Sequence, residues 1–478
     1  MKIWYKIIVL FIINYTLILT ISVSVCSGRP FPEASDTVRI TRTGGTPISP
    51  FAFGNNYFDW VDWSKDGTVG LAGSEEPARA LHLNVLVGDN NQNDANSPQL
   101  FDKTEMDKYI GYCRAIGAEP IMIVPVYGNN VDGGPTSAQG AADIVTYING
   151  TRKYGVRYWT IGMEVDIYDQ FFKRKTGLPV SSAAEYAAVF KSYAKAMIAA
   201  NAAAHSGVEL KFVGPELGWR YSDGNDWLSP MLDSCKDYID VASIHAYGFS
   251  ASQLTAEGVL NDADRFRQFV RDLKARVARH ARPGTAVAIT EANISFDWDP
   301  KLYTPEARKI GPGTFYAAIW DADRMGVALE AGLWTFAFWD LAETSQLVNS
   351  NGTVFGFILT DPSRNPPTYR LTPEYYAQQM VNTNFSGTTV VPTGVPARMS
   401  AYACYNAKKA TTAVLVVNKD TAGRTLTLQV DTLYSGTMTF SPMSINIVTI
   451  PDDAPAEYHR LEYNMRMADA NLPPVATH

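Results

Sequence analysis

Cysteine is scarce in this chain, with four among 478 residues. If an N-terminal leader is removed beyond Cys26, three remain: Cys113, Cys235 and Cys404, odd in number and widely spaced. That pattern excludes a disulfide framework and a zinc motif, and leaves buried thiols as the expectation. Grouped positive charge is also missing. The chain carries 41 Lys and Arg against 48 Asp and Glu, for a net charge of −7. No basic patch stands out, which argues against a nucleic-acid partner, because phosphate contacts need clustered Lys and Arg. No glycine-rich phosphate loop follows any apolar run, so an open dinucleotide-binding sheet is disfavoured. Short repeats and long low-complexity runs are absent. No His, Asp and Glu set falls at metal-ligand spacing, so neither a metal nor an organic cofactor is expected.

Only one run is both long and continuously apolar. Lys2 and Lys6 flank its start, "IIVLFIINYTLILTISVSV" follows through Val25, and small residues run from Ser24 to Gly28. A basic start, an apolar stretch and small residues describe a secretory leader over 1–28, cleaved to give a secreted protein without a membrane partner. The alternatives are an uncleaved anchor, since about 19 apolar residues span a bilayer, and lipid attachment at Cys26, which the larger Val25 disfavours. Sequons at Asn149, Asn351 and Asn384 matter only in a eukaryotic host.

What the chain does have is a slow rhythm. Apolar, β-like runs recur at 49–57 (SPFAFGNNY), 80–90 (ALHLNVLVGDN), 119–128 (EPIMIVPVYG), 157–165 (RYWTIGMEV), 210–217 (LKFVGPEL), 240–248 (DVASIHAYG), 286–294 (AVAITEANI) and 332–341 (GLWTFAFWDL). Most are nearly continuous in apolar residues, as parallel strands covered by helices are. Between them lie segments with helical spacing, such as "DKTEMDKYIGYCRAIGA" and the Ser-capped, Ala-rich "SAAEYAAVFKSYAKAMIAANAAA". This alternation predicts an α/β fold, a (β/α)₈ barrel over 49–385. After residue 385 the texture shifts to short alternating runs with turn residues between them, predicting an antiparallel β-sandwich over 386–452. The early stretch 36–48 is expected to add a strand to that sandwich, and 453–478 to be a loose tail.

A barrel keeps its chemistry at the C-terminal ends of its strands. The polar residues expected there are Asn55 and Asn56 (strand 1), Asp89 and Asn90 (strand 2, with His82 further back), Tyr127 (strand 3) and Glu164 (strand 4). Strand 5 brings Glu216 with Trp219 and Arg220, strand 6 His245 and Tyr247, strand 7 Glu291 with Asn293, and strand 8 Trp334, Trp339 and Asp340. A retaining glycosidase needs two carboxyls roughly 5 Å apart, one as acid/base and one as nucleophile. Glu164 and Glu291 face each other across such a mouth. Tyr247 and His245 supply donors that keep a nucleophile ionised, and Tyr127, Trp219, Trp334 and Trp339 offer platforms for sugar rings. No single residue carries this reading. A strand-end Glu alone is commonly a cap or an ion-pair partner, and a lone His is commonly structural. The weight lies in their order on successive strands.

With these residues in view, the chain resembles the clan A retaining glycoside hydrolases. "YWTIGMEVDIYD" is similar to that clan's strand-4 segment, usually Gly-Asn-Glu-Pro-Asp, while "DVASIHAYGF" and "AVAITEANIS" resemble its strand-6 and strand-7 segments. The layout and "CRAIGAEPIMIVPVYG" look most like glycoside hydrolase family 44, the endo-β-1,4-glucanases and xyloglucanases, with families 39, 51 and 79 sharing the layout. The resemblance implies Glu164 as acid/base, Glu291 as nucleophile and Tyr247 as the nucleophile's partner. It implies a β-linked glucan or xyloglucan as substrate, with xylosidase, arabinofuranosidase or glucuronidase activity as alternatives. Two residues depart from the pattern: Met163 stands where Asn is usual, and Val165 where Pro is common. The usual Asn bonds the sugar 2-hydroxyl, and methionine cannot donate that bond. Asn293, Asn55 or Asn56 reaches the hydroxyl instead, or the substrate differs there, or the barrel is a weak enzyme or a carbohydrate-binding protein. A metal-dependent barrel using Glu216 or Asp340 is the remaining rival.

Overall fold

The computed structural model describes residues 36–57, 73–88, 103–126, 136–167, 180–222, 224–297, 299–344, 354–361 and 363–477. The leader at 1–28, Asp89, Asn90, Tyr127 and the Asn351 sequon lie outside them. Eight strands close into a parallel barrel: β1 (Phe53–Tyr57), β2 (Val85–Gly88), β3 (Glu119–Val124), β4 (Tyr158–Ile161), β5 (Lys211–Leu217), β6 (Ile239–His245), β7 (Ala286–Glu291) and β8 (Phe336–Phe338). Each falls inside one of the eight apolar runs, or within one residue of it. Closure is made by β8 against β1, with Phe336 opposite Phe53 and Phe338 opposite Asn55. Helices cover the outside, among them α1 (Lys103–Ile116), α2 (Ala183–Ala203), α3 (Asp262–His280), α4 (Phe315–Glu330) and α5 (Pro373–Asn384). The Ser182 side chain caps α2 by accepting from Glu185 N, the serine cap expected from the sequence.

The barrel interior is packed with Val85, Val87, Ile121, Tyr158, Val213, Val241, Ala288 and Ala337. Phe51 and Trp334 close its N-terminal end, packed edge-on or tilted against Tyr158 and each other with ring centroids 5.0 to 5.2 Å apart. Trp334 therefore plugs the floor of the barrel, opposite the mouth where a sugar platform was expected. The reason is local: β8 begins at Phe336, so Trp334 precedes the strand. His82 is likewise exposed ahead of β2, away from the mouth.

The second layer system is the sandwich. Its larger sheet has seven strands: Thr46–Pro47, β9 (Thr388–Val390), β10 (Met399–Asn406), β11 (Thr411–Asn418), β14 (Ser444–Pro451), β15 (His459–Asn464) and β16 (Val475–Thr477). The smaller sheet joins β12 (Arg424–Val430) and β13 (Tyr434–Phe440) to Asp36–Ile40. Asp36–Ile40 runs parallel to β12, so this sheet is not wholly antiparallel. The stretch expected to be a tail is also ordered, because β15 and β16 extend the larger sheet. The sandwich sits on α4. Tyr402 lies over Gly326, where a Cβ would come within 2.4 Å of the ring, and its hydroxyl donates to Asp323 at 3.2 Å. Lys419 Nζ donates to the same carboxylate at 3.0 Å. No described helix is long and apolar enough to cross a membrane.

Candidate active site

The site is assembled by the turns that leave β4 and β5. Gly162 has φ +72°, and a Cβ there would sit 2.6 Å from Val165 and 2.9 Å from Val126, so only glycine fits this tight exit. Glu164 itself has φ +51° and Glu216 φ +54°, left-handed conformations that cost a side-chain-bearing residue free energy and gather at functional sites. A backbone bond from Glu164 N to Glu216 O, 2.8 Å, locks the two turns together. From α2, the Tyr186 hydroxyl reaches the strand-end carbonyls Ile161 O (2.6 Å) and Pro215 O (2.9 Å). Asp166 clamps the next loop: its carboxylate accepts from Gly218 N (2.9 Å), Trp219 N (2.9 Å) and Arg220 N (2.7 Å). Burial raises the pKa of Asp166 even against those three donors. Gly218 then leaves room for the acid, since a Cβ there would fall 2.8 Å from Glu164 Oε1.

At the centre stands His245, fully buried. Its Nδ1 lies 2.8 Å from Glu164 Oε1 and 3.5 Å from Glu291 Oε2, and its Nε2 lies 3.0 Å from Glu216 Oε2. Burial favours neutral imidazole, but Glu291, Glu164 and Glu216 outweigh it and hold the pKa well above the ordinary histidine value. In its protonated form the ring donates from both nitrogens. Thr290 Oγ1 donates to Glu216 Oε2 at 2.6 Å, which completes a buried support for His245. The Tyr247 hydroxyl donates to Glu291 Oε1. Burial, reinforced by Glu164, pushes Glu291 up to about 8, although His245 and Tyr247 pull it down. One oxygen from each of Glu164 and Glu291, with a His245 ring nitrogen, lie within 4.8 Å of one another, so the same three atoms could also hold a metal ion.

The remaining expected residues divide into two sets. Glu216 supports His245. Trp219 stands 57% exposed at the rim, edge-on to Phe296 at 5.8 Å, and Phe296 meets Tyr247 at 6.3 Å. Met163 and Trp339 are buried together with Ile123 and Phe355, and Tyr247 packs on that cluster. Each of the three asparagines makes at least one amide hydrogen bond within the protein. Asn55 Nδ2 donates to Gln378 of α5. Asn56 Nδ2 donates to Thr290 O and Phe338 O, tying β7 and β8 to β1. Asn293 Nδ2 donates to Trp339 O. Asp166, Thr290, Gly218 and Phe296 were not singled out from the sequence. For Asp166 the signal was present, two residues beyond Glu164, but its partners lie on another loop.

No protein-family model matches the chain, and no curated protein sequence is similar to it. Solved structures are similar in fold. CelM2, a bifunctional glucanase-xylanase from a metagenome library, superposes with a TM-score of 0.63 at 17% identity, over 87% of this chain and 99% of that one. The chain has the fold of barrel-plus-sandwich glycosidases. A family 51 arabinofuranosidase from Xanthomonas axonopodis pv. citri gives a TM-score of 0.62 at 14% identity, covering 92% of this chain and 94% of that one. A family 44 xyloglucanase from Paenibacillus polymyxa gives 0.58 at 13% identity, over 85% and 97%.

Proposed function

We propose that this chain is an exported retaining glycoside hydrolase, with Glu291 as nucleophile and Glu164 as acid/base. The observation that carries the reading is the spacing of the pair. Carboxylate oxygens of Glu164 and Glu291 come within 4.8 Å of each other, which suits double displacement, for which the two carboxyls lie about 5 Å apart. Glu291 attacks the anomeric carbon while Glu164 gives its proton to the leaving oxygen. Glu164 then takes a proton from water as that water attacks the glycosyl-enzyme. His245 Nδ1 lies 2.8 Å from Glu164 Oε1 and 3.5 Å from Glu291 Oε2, so a protonated ring can pass its proton to Glu164 and receive one from Glu291, with the imidazolium unchanged in charge.

The substrate favoured is a β-linked glucan or xyloglucan. The glucanase-xylanase and the xyloglucanase among the similar folds support it, as does the exposed Trp219 beside Glu164. The leader-like segment at 1–28 supports export. A second reading is favoured by Met163: a carbohydrate-binding protein on the same scaffold. Digestion of a panel of plant polysaccharides and aryl glycosides, with product analysis, separates the two. Release of sugar by the wild type and loss of at least about 1,000-fold in Glu291→Ala supports the hydrolase. Near-normal turnover by Glu291→Ala sinks the assignment, and binding without product favours the binding protein.

A further inference from the structure

Asp340 follows Trp339 at the end of β8 and is 1% exposed, yet its Oδ1 has no hydrogen-bond partner. Its backbone is held in place: its N–H donates to Phe355 O at 3.3 Å, and its carbonyl accepts from Phe357 N at 3.0 Å. Burial, then the charges of Glu343 and Glu291, push its pKa well above the usual carboxylate range, and its own charge acts on Tyr247. The side chain is therefore within electrostatic reach of the Tyr247–Glu291 pair. Its neighbour Glu343 turns Oε2 to Phe355 N and Gly356 N, each at 2.8 Å.

Several donors around Glu291 are engaged within the protein. Asn293 binds Trp339 O, Thr290 binds Glu216, Tyr247 binds Glu291, and the Asn56 amide nitrogen binds two strand carbonyls. The wall beside them is apolar, built from Met163, Ile123, Trp339 and Phe355. Four buried acceptors in and around the site have no hydrogen-bond partner: Asp340 Oδ1, Asn56 Oδ1, Glu291 Oε2 and Glu216 Oε1. A buried polar oxygen without a partner is costly. A sugar hydroxyl, which both donates and accepts, can satisfy it whether the carboxyl is ionised or protonated.

We propose that Asp340 is a substrate-binding residue, accepting a hydrogen bond from a glycone hydroxyl when the sugar docks against Glu291. The neighbouring cluster of Met163, Ile123, Trp339 and Phe355 is apolar, so Asp340 carries the polar recognition on this side. This rests on the hydrolase reading above.

The test uses wild type, Asp340→Leu and Asp340→Asn on 4-nitrophenyl β-cellobioside, β-xylopyranoside and α-L-arabinofuranoside, then on monodeoxy analogues of whichever is cleaved fastest. Asp340→Leu should lose roughly 10- to 100-fold in kcat/KM. Asp340→Asn should lose less, because its amide oxygen still accepts. One monodeoxy glycoside should be cleaved more slowly by the wild type by a similar factor and show little further loss with Asp340→Leu. Asp340→Leu with unchanged melting and activity within threefold of wild type overturns the proposal, as does an equal loss on every analogue. If the wild type cleaves nothing, the hydrolase reading fails by itself. Asp340 is then judged by calorimetric binding of cello- and xylo-oligosaccharides, where weaker binding by Asp340→Leu supports the role. Equal affinity, or no binding by either protein, overturns it.

Discussion

At the scale of single residues, Met163 is the one the structure changes most. Of the three asparagines that could replace the usual one as donor, Asn56 has both amide N–H groups engaged with strand carbonyls, while Asn55 and Asn293 each make one such bond. Met163 is 2% exposed among Ile123, Trp339 and Phe355. An asparagine there would be buried without a partner, at a cost of about 1–3 kcal/mol. Met163→Asn should therefore lower stability by that order and lower kcat/KM about tenfold on any cleaved glycoside, measured by thermal melting and steady-state kinetics. A rise in activity would mean that methionine costs catalysis. Protonation makes a second prediction. The Glu164–Glu291 pair must hold one proton for the first step, and burial pushes Glu291 up to about 8. The pair's last proton leaves near that value, so kcat/KM should fall above pH about 8. Tyr247→Phe removes a donor that favours ionised Glu291 and should move that limb upward. A limb below pH 6, or one that Tyr247→Phe leaves in place, contradicts this.

At the scale of elements, the strands were legible and the directions of their side chains less so. Parallel strands buried on both faces read as continuous apolar runs, and all eight were visible as such. The same continuity hides where a run becomes strand, which is why Trp334 was taken for a mouth residue. Alternation within a strand separates neighbours: Asn55 bonds Gln378 on α5, whereas Asn56 bonds the backbones of β7 and β8. Glu164, Tyr247 and Glu291 were readable because each sits at or just beyond a strand end. Asp166 was not, because its function lies in three N–H groups more than fifty residues away. Its clamp predicts that Asp166→Ala loosens the loop carrying Gly218 and Trp219, and with it the carboxyl of Glu164. The expected result is a roughly 100-fold loss of kcat/KM with a still-cooperative melt, and wild-type activity would show the clamp to be dispensable.

At the scale of the whole molecule, the sandwich is part of the barrel's support. Its last strands escaped sequence reading because polar residues face inward. In β15, Arg460 and Glu462 pair at 2.6 Å, and Arg460 also bonds Asn446, so the alternation of apolar and polar residues is lost. Charge burial is widespread. Besides Glu291, burial pushes Glu330 and Glu343 up to about 7 and Glu374 up to about 8. These folded-state values lie above the unfolded carboxylate value of about 4.3. Stability from their neutral forms is thus fully present below the unfolded value and is lost as pH rises through 7 to 8. The melting temperature should be higher near pH 5 than near pH 8.5. The opposite slope would mean that ionised pairs elsewhere dominate.

The central claim is that Glu291 forms the covalent glycosyl-enzyme. It is tested most directly by trapping that species with a 2-deoxy-2-fluoro glycosyl fluoride matched to a cleaved substrate, then mapping the label by peptide mass spectrometry. One glycosyl group on the peptide containing Glu291, absent from Glu291→Ala, is the predicted result. A label on Glu164 or any other residue would contradict it.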